Sequence, residues 1–358
     1  MTRAQETTRW ATLRPVTGTP REVDAALQEW LAADEEPPAL AIRTSGSTGR
    51  PKDVLLSRRA VTASARATHA RLGGPGQWLL DLPAHYVAGV QVVARSLLAA
   101  TSPVVASEHA GLEEAVEAMT GERRYASLVP TQLHRLAESG RLAALAALDA
   151  VLVGGAALDP ELRARATRAG VRIVRTYGMS ETAGGCVYDG VPLDGVALRL
   201  DAEQRVWIAG PVLFDGYAGD DAATADALRD GWLRTQDLGR LDEDGRLQVL
   251  GRTDDAIISG GVNVSAPRVA LALRGLDGVA DAVVVGVDDP EWGQTVVAVV
   301  VGEPGRPVSL DALRDGVEAA GLARSWAPRR VVVVDAIPLL EHGKVDRLRV
   351  RAIAAEER

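Results

Sequence analysis

Thr44-Ser45-Gly46-Ser47-Thr48-Gly49-Arg50-Pro51-Lys52 is the stretch on which the reading of this 358-residue chain turns. Four hydroxyls, two glycines and a lysine follow a short apolar run, Ala39-Leu40-Ala41-Ile42, that reads as one buried strand. Gly46 and Gly49 let the backbone come close to a ligand. Backbone N–H groups, hydroxyls and the Lys52 ammonium can together hold a polyphosphate. The alternative is an ordinary Ser/Thr/Gly surface loop, which lacks the closing Pro-Lys. The Walker loop is excluded, because it needs Gly, four residues and then Gly-Lys-Ser/Thr.

Ahead of this loop, apolar residues at Val23, Ala26, Leu27, Trp30 and Leu31 predict an amphipathic helix over 21–33, stopped by Pro37-Pro38. Behind it, strands and helices alternate. Strands are expected at 78–82, 102–106, 127–129, 150–153 and 171–175, and helices at 90–100, 112–119, 131–139 and 160–169. That alternation predicts a layered α/β domain with a largely parallel sheet. After Gly184 the texture changes to short strands at 196–200, 205–209 and 247–250, with a hairpin turn at Asp242-Glu243-Asp244-Gly245. From Arg268 the pattern is mixed: a helix starting at 269–273, strands at 282–287 and 296–301, a helix at 310–320 and a strand at 331–334. The fold class is α/β, with a large N-terminal layered domain over 1–253 and a small α+β C-terminal domain over 254–358.

Composition narrows the function. The 47% hydrophobic and 25% charged residues are ordinary for a globular protein. A net charge of -8 excludes the basic footprint of a nucleic-acid binder, and Arg163, Arg165 and Arg168 read as a solvated helix face. Cys186 stands alone, so an internal disulfide and a cysteine-based zinc site are impossible. The five histidines show no metal-ligand spacing. The polar start of the chain and the lack of a long apolar stretch lead to the expectation of a cytoplasmic protein without membrane insertion.

The 44–52 loop resembles the phosphate loop of the adenylate-forming superfamily, the acyl-CoA synthetases, luciferases and adenylation domains, and further motifs follow in that family's order. Tyr177-Gly178-Met179-Ser180-Glu181-Thr182 is similar to its adenine and magnesium motif. The resemblance implies that Tyr177 stacks on adenine, Thr182 contacts the α-phosphate and Glu181 holds Mg²⁺. An aromatic face, a hydroxyl and a hard oxygen ligand suit those tasks. The lack of a final Gly excludes a nucleophile elbow. Gly154-Gly155-Ala156 resembles a segment that lines the adenine pocket. Thr235-Gln236-Asp237-Leu238-Gly239 resembles the ribose motif, with Gln236 where the family usually has Gly; Asp237 and Arg252 are the implied ribose contacts and Asp254 the implied hinge. Gly260-Gly261-Val262-Asn263 resembles the loop used in thioester formation, and Arg268 and Ala270 stand where the family often has glutamates. Pro338 to Arg347 resembles the C-terminal signature, with Lys344 the implied catalytic lysine of adenylation.

The resemblance runs from about Ala39 to the end and implies an enzyme that uses ATP, Mg²⁺ and coenzyme A. It is most like the compact, actinobacterial type of o-succinylbenzoate–CoA ligase in menaquinone biosynthesis, whose partner is a small aromatic carboxylate. Leu82-Pro83-Ala84-His85-Tyr86-Val87-Ala88-Gly89 and Arg95-Ser96 carry that likeness, with Tyr86 where the subfamily commonly has histidine and His85 one place earlier. Arg95 is implied to face a second substrate carboxylate, and a dianionic acid needs such a cation. Two alternatives are an aryl-acid adenylating enzyme that loads a carrier protein and a nucleotide-binding homologue without catalysis. Homo-oligomerisation is left open.

Overall fold

The computed structural model describes residues 10–44, 51–253, 256–339 and 345–356. The chain divides into two compact units. One comprises Met1–Arg199, Trp207–Thr235 and Glu243–Leu247; the other comprises Leu200–Val206, Gln236–Asp242 and Gln248–Arg358.

The larger unit begins with α1 (Pro20–Leu31), whose buried stripe is Val23, Leu27 and Trp30. Thr19 caps it reciprocally: its hydroxyl accepts from the Glu22 N–H, and the Glu22 carboxylate accepts from the Thr19 N–H. Strands β1 (Leu40–Thr44) and β2 (Lys52–Leu56) form an antiparallel pair in register from Leu40↔Leu56 to Thr44↔Lys52. The expected phosphate loop therefore joins a hairpin, and Lys52 opens a strand. Helix α2 (Arg58–Leu72) follows and was not expected. It buries Ala60, Val61, Ser64, Ala65, Ala67, Thr68, His69 and Leu72. Small and polar side chains make up most of that face, so no apolar stripe advertises it.

The alternation then appears much as expected: β3 (Gln77–Leu80), α3 (Val87–Leu98), β4 (Val104–Val105), α4 (Leu112–Glu117), β5 (Arg124–Leu128), α5 (Pro130–Glu138), β6 (Ala150–Val153), α6 (Pro160–Arg168), β7 (Ile173–Met179), β8 (Gly184–Tyr188) and β9 (Val191–Pro192). The strands lie in the order β4-β3-β5-β6-β7-β8-β9. From β4 to β7 neighbours are parallel, whereas β8 and β9 are antiparallel additions. The strand expected at 102–106 shrinks to two residues, because the Gln77 side chain takes the Ser102 carbonyl. An aliphatic core of Leu, Val and Ala fills one face, including Leu128, Leu133, Leu145, Val151 and Val153. Trp78 and Tyr125, both fully buried, stack at 5.1 Å.

Five more strands form a separate sheet: β10 (Ala197–Leu200), β11 (Arg205–Ala209), β13 (Leu228–Arg229), β14 (Trp232–Leu241) and β15 (Leu247–Arg252). β12 (Gly216–Tyr217) instead joins β2, and α7 (Asp221–Ala227) follows it. The turn expected at 242–245 joins β14 to β15.

The smaller unit carries β16 (Ala256–Ser259) and β17 (Val262–Ser265) around Gly260-Gly261, then α8 (Ala266–Arg274), β18 (Val279–Asp289), β19 (Gly293–Gly302), α9 (Leu310–Ala319), β20 (Arg330–Val333) and α10 (Arg347–Glu356). Both faces of the β18–β19 pair are covered. Val284, Val296, Ala298 and Val300 pack with α8 and α9 residues, and Val283, Val285, Val297 and Val299 pack with Val350 and Ala354 of α10. Among the described residues no helix is long and apolar enough to cross a membrane.

One close approach fixes the start of α3. A Cβ on Gly89 would lie 2.2 Å from the Pro83 carbonyl oxygen and 2.8 Å from Ala84 Cα, both backbone atoms that cannot swing aside. Gly89→Ala is therefore expected to destabilise the larger unit by about 1–3 kcal/mol, read as a lower denaturant midpoint with the Trp78–Tyr125 near-ultraviolet signal as reporter.

Candidate active site

In an open α/β sheet, ligands collect beyond the carboxyl ends of the strands. Gly154-Gly155-Ala156 leaves the end of β6 there, and Tyr177 and Gly178 lie at the end of β7. The two segments touch. A Cβ on Gly154 would meet the Thr176 hydroxyl at 2.2 Å, and Gly155 has φ +85°, where a side chain is strained. Tyr177 is half-buried. Gly178 is demanded by the neighbouring strand, since its Cβ would fall 2.1 Å from the Gly184 carbonyl oxygen.

Between β7 and β8 the chain reverses through the turn Ser180–Thr182. Thr182 is fully buried; its hydroxyl accepts from the Met179 N–H at 2.9 Å and donates to the Gly184 carbonyl at 2.7 Å. That hydroxyl holds the turn shut in this structure. Glu181 beside it accepts a 2.8 Å hydrogen bond from the Tyr217 hydroxyl, and the Lys52 ammonium sits 4.4 Å over the Tyr217 ring. Burial, with the Glu181 carboxylate next to it, pushes the Tyr217 phenol well above its ordinary range, so it stays a donor. A cavity of about 310 Å³ opens here, lined by Arg43, Pro51, Lys52, Asp53, Tyr217, Ala218 and Asp220. Thr44 borders the same hairpin, its hydroxyl donating to the Lys52 carbonyl at 3.2 Å. Ser45, Gly46, Ser47, Thr48 and Gly49 lie outside the described residues.

Tyr217 is a residue of this cavity that the sequence analysis did not single out. The signal was present: Phe214 and Tyr217 are two aromatics within four residues, in a chain with one Phe and five Tyr. For Mg²⁺ the fit is limited but adequate. No group of three or more His, Cys, Asp or Glu side chains among the described residues could cage a metal. Mg²⁺ is typically held by one or two carboxylates plus substrate phosphates and water, which a single Glu181 satisfies.

The residues expected at the acyl end lie among α2, α3, β3 and β8. His85 and Tyr86 precede α3, their rings 4.3 Å apart. Arg95, at the other end of α3, is only 3% exposed. Its guanidinium lies 4.8 Å over Trp78, Nη2 is 3.5 Å from the Tyr188 hydroxyl, and Nε has no partner. No carboxylate among the described residues pairs with it. Burial lowers its pKa, yet a guanidinium keeps its proton in proteins. An unpaired buried cation is costly, by several kcal/mol in general. Around it lie further buried polar groups, Gln91, Thr68 and His69. Gln91 Oε1, His69 Nε2 and Trp78 Nε1 are also unpartnered.

The remaining predicted residues belong to the smaller unit. Asp237 is buried, and Arg252 Nη1 lies 3.7 Å from its Oδ1. Gln236, where a glycine was usual, accepts from Thr253 Oγ1 at 2.7 Å and from Arg205 at 3.0 Å, so it ties β11 and β14 to the end of β15. Gly261 has φ +79° with open space where a Cβ would be, while Gly260 lies against Trp292. Asp254 and Lys344 fall outside the described residues.

Comparison with known proteins gives the family. Residues 4–217 match the AMP-binding enzyme family, and residues 269–344 match the AMP-binding enzyme C-terminal domain. The chain belongs to that family and has the adenylate-forming enzyme fold. It is 46% identical over 329 residues to a probable 2-succinylbenzoate–CoA ligase of Mycobacterium tuberculosis, across 89% of this chain and 85% of the relative. The o-succinylbenzoate CoA synthetase of Bacillus subtilis, solved with its acyl-adenylate intermediate, is similar at a TM-score of 0.75 and 26% identity, over 87% of this chain and 68% of that one. The amide bond synthetase of Marinactinospora thermotolerans gives 0.77 and 31% over 87% and 68%.

Burial and the nearby Arg95 cation press the His69 imidazole down to about 4 from the ordinary 6.5. The folded protein thus resists a proton that the unfolded chain accepts. Stability is full above pH 6.5, falls as pH drops towards 4, and loses nothing more from this group below that. The gap is worth roughly 3 kcal/mol at most. His69→Leu should lack this loss, so denaturation from pH 7 to 4 should narrow the difference between variant and wild type in the variant's favour.

Proposed function

We propose that this chain is an AMP-forming acid–thiol ligase that joins 2-succinylbenzoate to coenzyme A through an acyl-adenylate. The observation that carries this reading is Arg95, a buried cation without a carboxylate partner among the described residues, in a family of AMP-binding enzymes. A dianionic acid supplies the missing charge with one carboxylate and reacts with the other. The 46% identity to a probable ligase of that acid supports it.

In the first half-reaction one substrate carboxylate oxygen attacks the α-phosphorus of ATP. The bond to the bridging oxygen breaks, pyrophosphate leaves, and a mixed anhydride remains. Tyr177 and Gly154-Gly155-Ala156 hold the adenine, while Asp237 and Arg252 hold the ribose. Thr44, Lys52 and the Ser45–Gly49 segment steady the leaving phosphates. Mg²⁺, when bound beside Glu181, neutralises phosphate charge. Tyr217 orients Glu181 for that task. Thr182 reaches the α-phosphate once its hydroxyl releases the Gly184 carbonyl, and Lys344 offsets charge that develops in transfer. His85 and Tyr86 flank the acyl chain.

In the second half-reaction the coenzyme A thiolate attacks the acyl carbon and AMP departs with the electron pair. Residues 254–358 would act as the mobile part, turning about Asp254 to withdraw Lys344 and bring in the Gly261 loop. The likeness to an amide bond synthetase makes an amine the alternative acceptor to test.

Thioester formation should be measured with ATP, Mg²⁺, coenzyme A and 2-succinylbenzoate, with benzoate and salicylate as control acids and an amine in place of the thiol. Turnover confined to 2-succinylbenzoate and coenzyme A supports the reading; turnover of a simple aryl acid, or transfer only to the amine, overturns it. Arg95→Ala should raise KM for 2-succinylbenzoate about 10–100-fold. Separately, Lys344→Ala should slow adenylate formation about 10²–10³-fold while sparing thioester formation from supplied acyl-adenylate; an equal fall in both halves would remove Lys344 from its role.

A further inference from the structure

We infer that Tyr188 is a positioning residue for substrate selection: its phenol, braced by Thr68, sets the orientation in which Arg95 presents its guanidinium to the second carboxylate of the acid. This rests on the reading of Arg95 given above and extends it to two residues that touch no reacting atom.

Three elements meet at this point. Arg95 comes from α3, Tyr188 ends β8 and Thr68 lies in the last turns of α2. Tyr188 is 2% exposed, and its hydroxyl lies 2.8 Å from Thr68 Oγ1 and 3.5 Å from Arg95 Nη2. The direction of these bonds follows from the donors available. A guanidinium only donates, so the phenolic oxygen accepts from Nη2, which leaves its own proton free to go to Thr68 Oγ1. Among the described residues Tyr188 is the sole hydrogen-bond partner of the Arg95 side chain.

The Trp78 ring, its centroid 4.8 Å from Arg95 Cζ, bounds the guanidinium on one side, and the contact to Tyr188 restrains its direction. Together they leave Nε buried and unpartnered. A bidentate carboxylate contact needs a guanidinium edge held in a set direction. The long Nη2 contact gives a restraint on direction rather than a strong bond that would compete with substrate. The ring lies beside Gly185 of the same strand, where a Cβ would come within 3.1 Å of Tyr188 Cε1, so glycine at 185 leaves the ring its place.

The experiment measures pyrophosphate release by Tyr188→Phe, Thr68→Val and Thr68→Ser. Two acids are compared: 2-succinylbenzoate and its analogue with a carboxamide at the carboxyl group that is not activated. Tyr188→Phe keeps the ring and removes only the hydroxyl. It should raise KM for the dianion about tenfold with kcat within about twofold, and leave KM for the carboxamide unchanged. Thr68→Val should follow it, Thr68→Ser should restore near wild-type behaviour, and the Phe/Val double variant should be no worse than Tyr188→Phe alone. Equal effects on both acids, no effect on either, or a fall in kcat alone would overturn the role. Loss of both activities in Tyr188→Phe with an unchanged melting temperature would also count against it. If the wild-type enzyme does not activate 2-succinylbenzoate at all, the functional reading fails and this inference with it; if it does and the variants show no selective change, only the positioning role is lost.

Discussion

The hydroxyl of Thr182 governs much of the larger unit. By accepting from Met179 and donating to the Gly184 carbonyl, it closes the turn at which a parallel sheet acquires its antiparallel edge. That reversal brings the backbones of Gly178 and Gly184 so close that no side chain fits at 178. It also leaves Glu181 where Tyr217 can donate to it, and sends β8 back along α2 and α3 towards Arg95. The same few residues thus tie the surroundings of Glu181 and Tyr217 to those of Arg95. A change in this turn would be felt at both.

The two ends rest on different physics. At the sheet edge, glycine lets backbone approach backbone, and the geometry depends on what lacks a side chain. Around Arg95, a charge is kept where water scarcely reaches it. Arg95 has an aromatic face and one long hydrogen bond, which offset only part of the cost of its burial. His69 nearby is held neutral mainly by its burial and further by the Arg95 cation beside it. Such an arrangement is stable only while the rest of the unit supports it, and it gives a bound anion a large electrostatic return.

Local pattern made much of this visible. Periodicity located α1, α3, α5, α6 and the parallel strands to within a few residues, because each buries an apolar face whose spacing survives in the chain. It failed at α2, whose buried face is built from Ala, Ser, Thr and His. It also failed for the pairing of β1 and β2, since a strand leading into a glycine-rich loop looks the same whether the chain returns as a strand or enters a helix. Tyr217 escaped notice because its role comes from β12 lying beside β2, a contact between residues far apart in sequence.

What the sequence determined by itself was the family, through loops whose residue types are dictated by phosphate, base and ribose chemistry, and the class of fold, through the alternation of strand and helix. Tertiary structure alone decided which polar groups were buried without partners. Arg95 is one arginine among many until α2, α3, β3 and β8 close around it and no carboxylate among the described residues comes with them. The reason is physical: the residue type fixes a charge, but its cost depends on the solvent and partners that the rest of the fold removes or supplies.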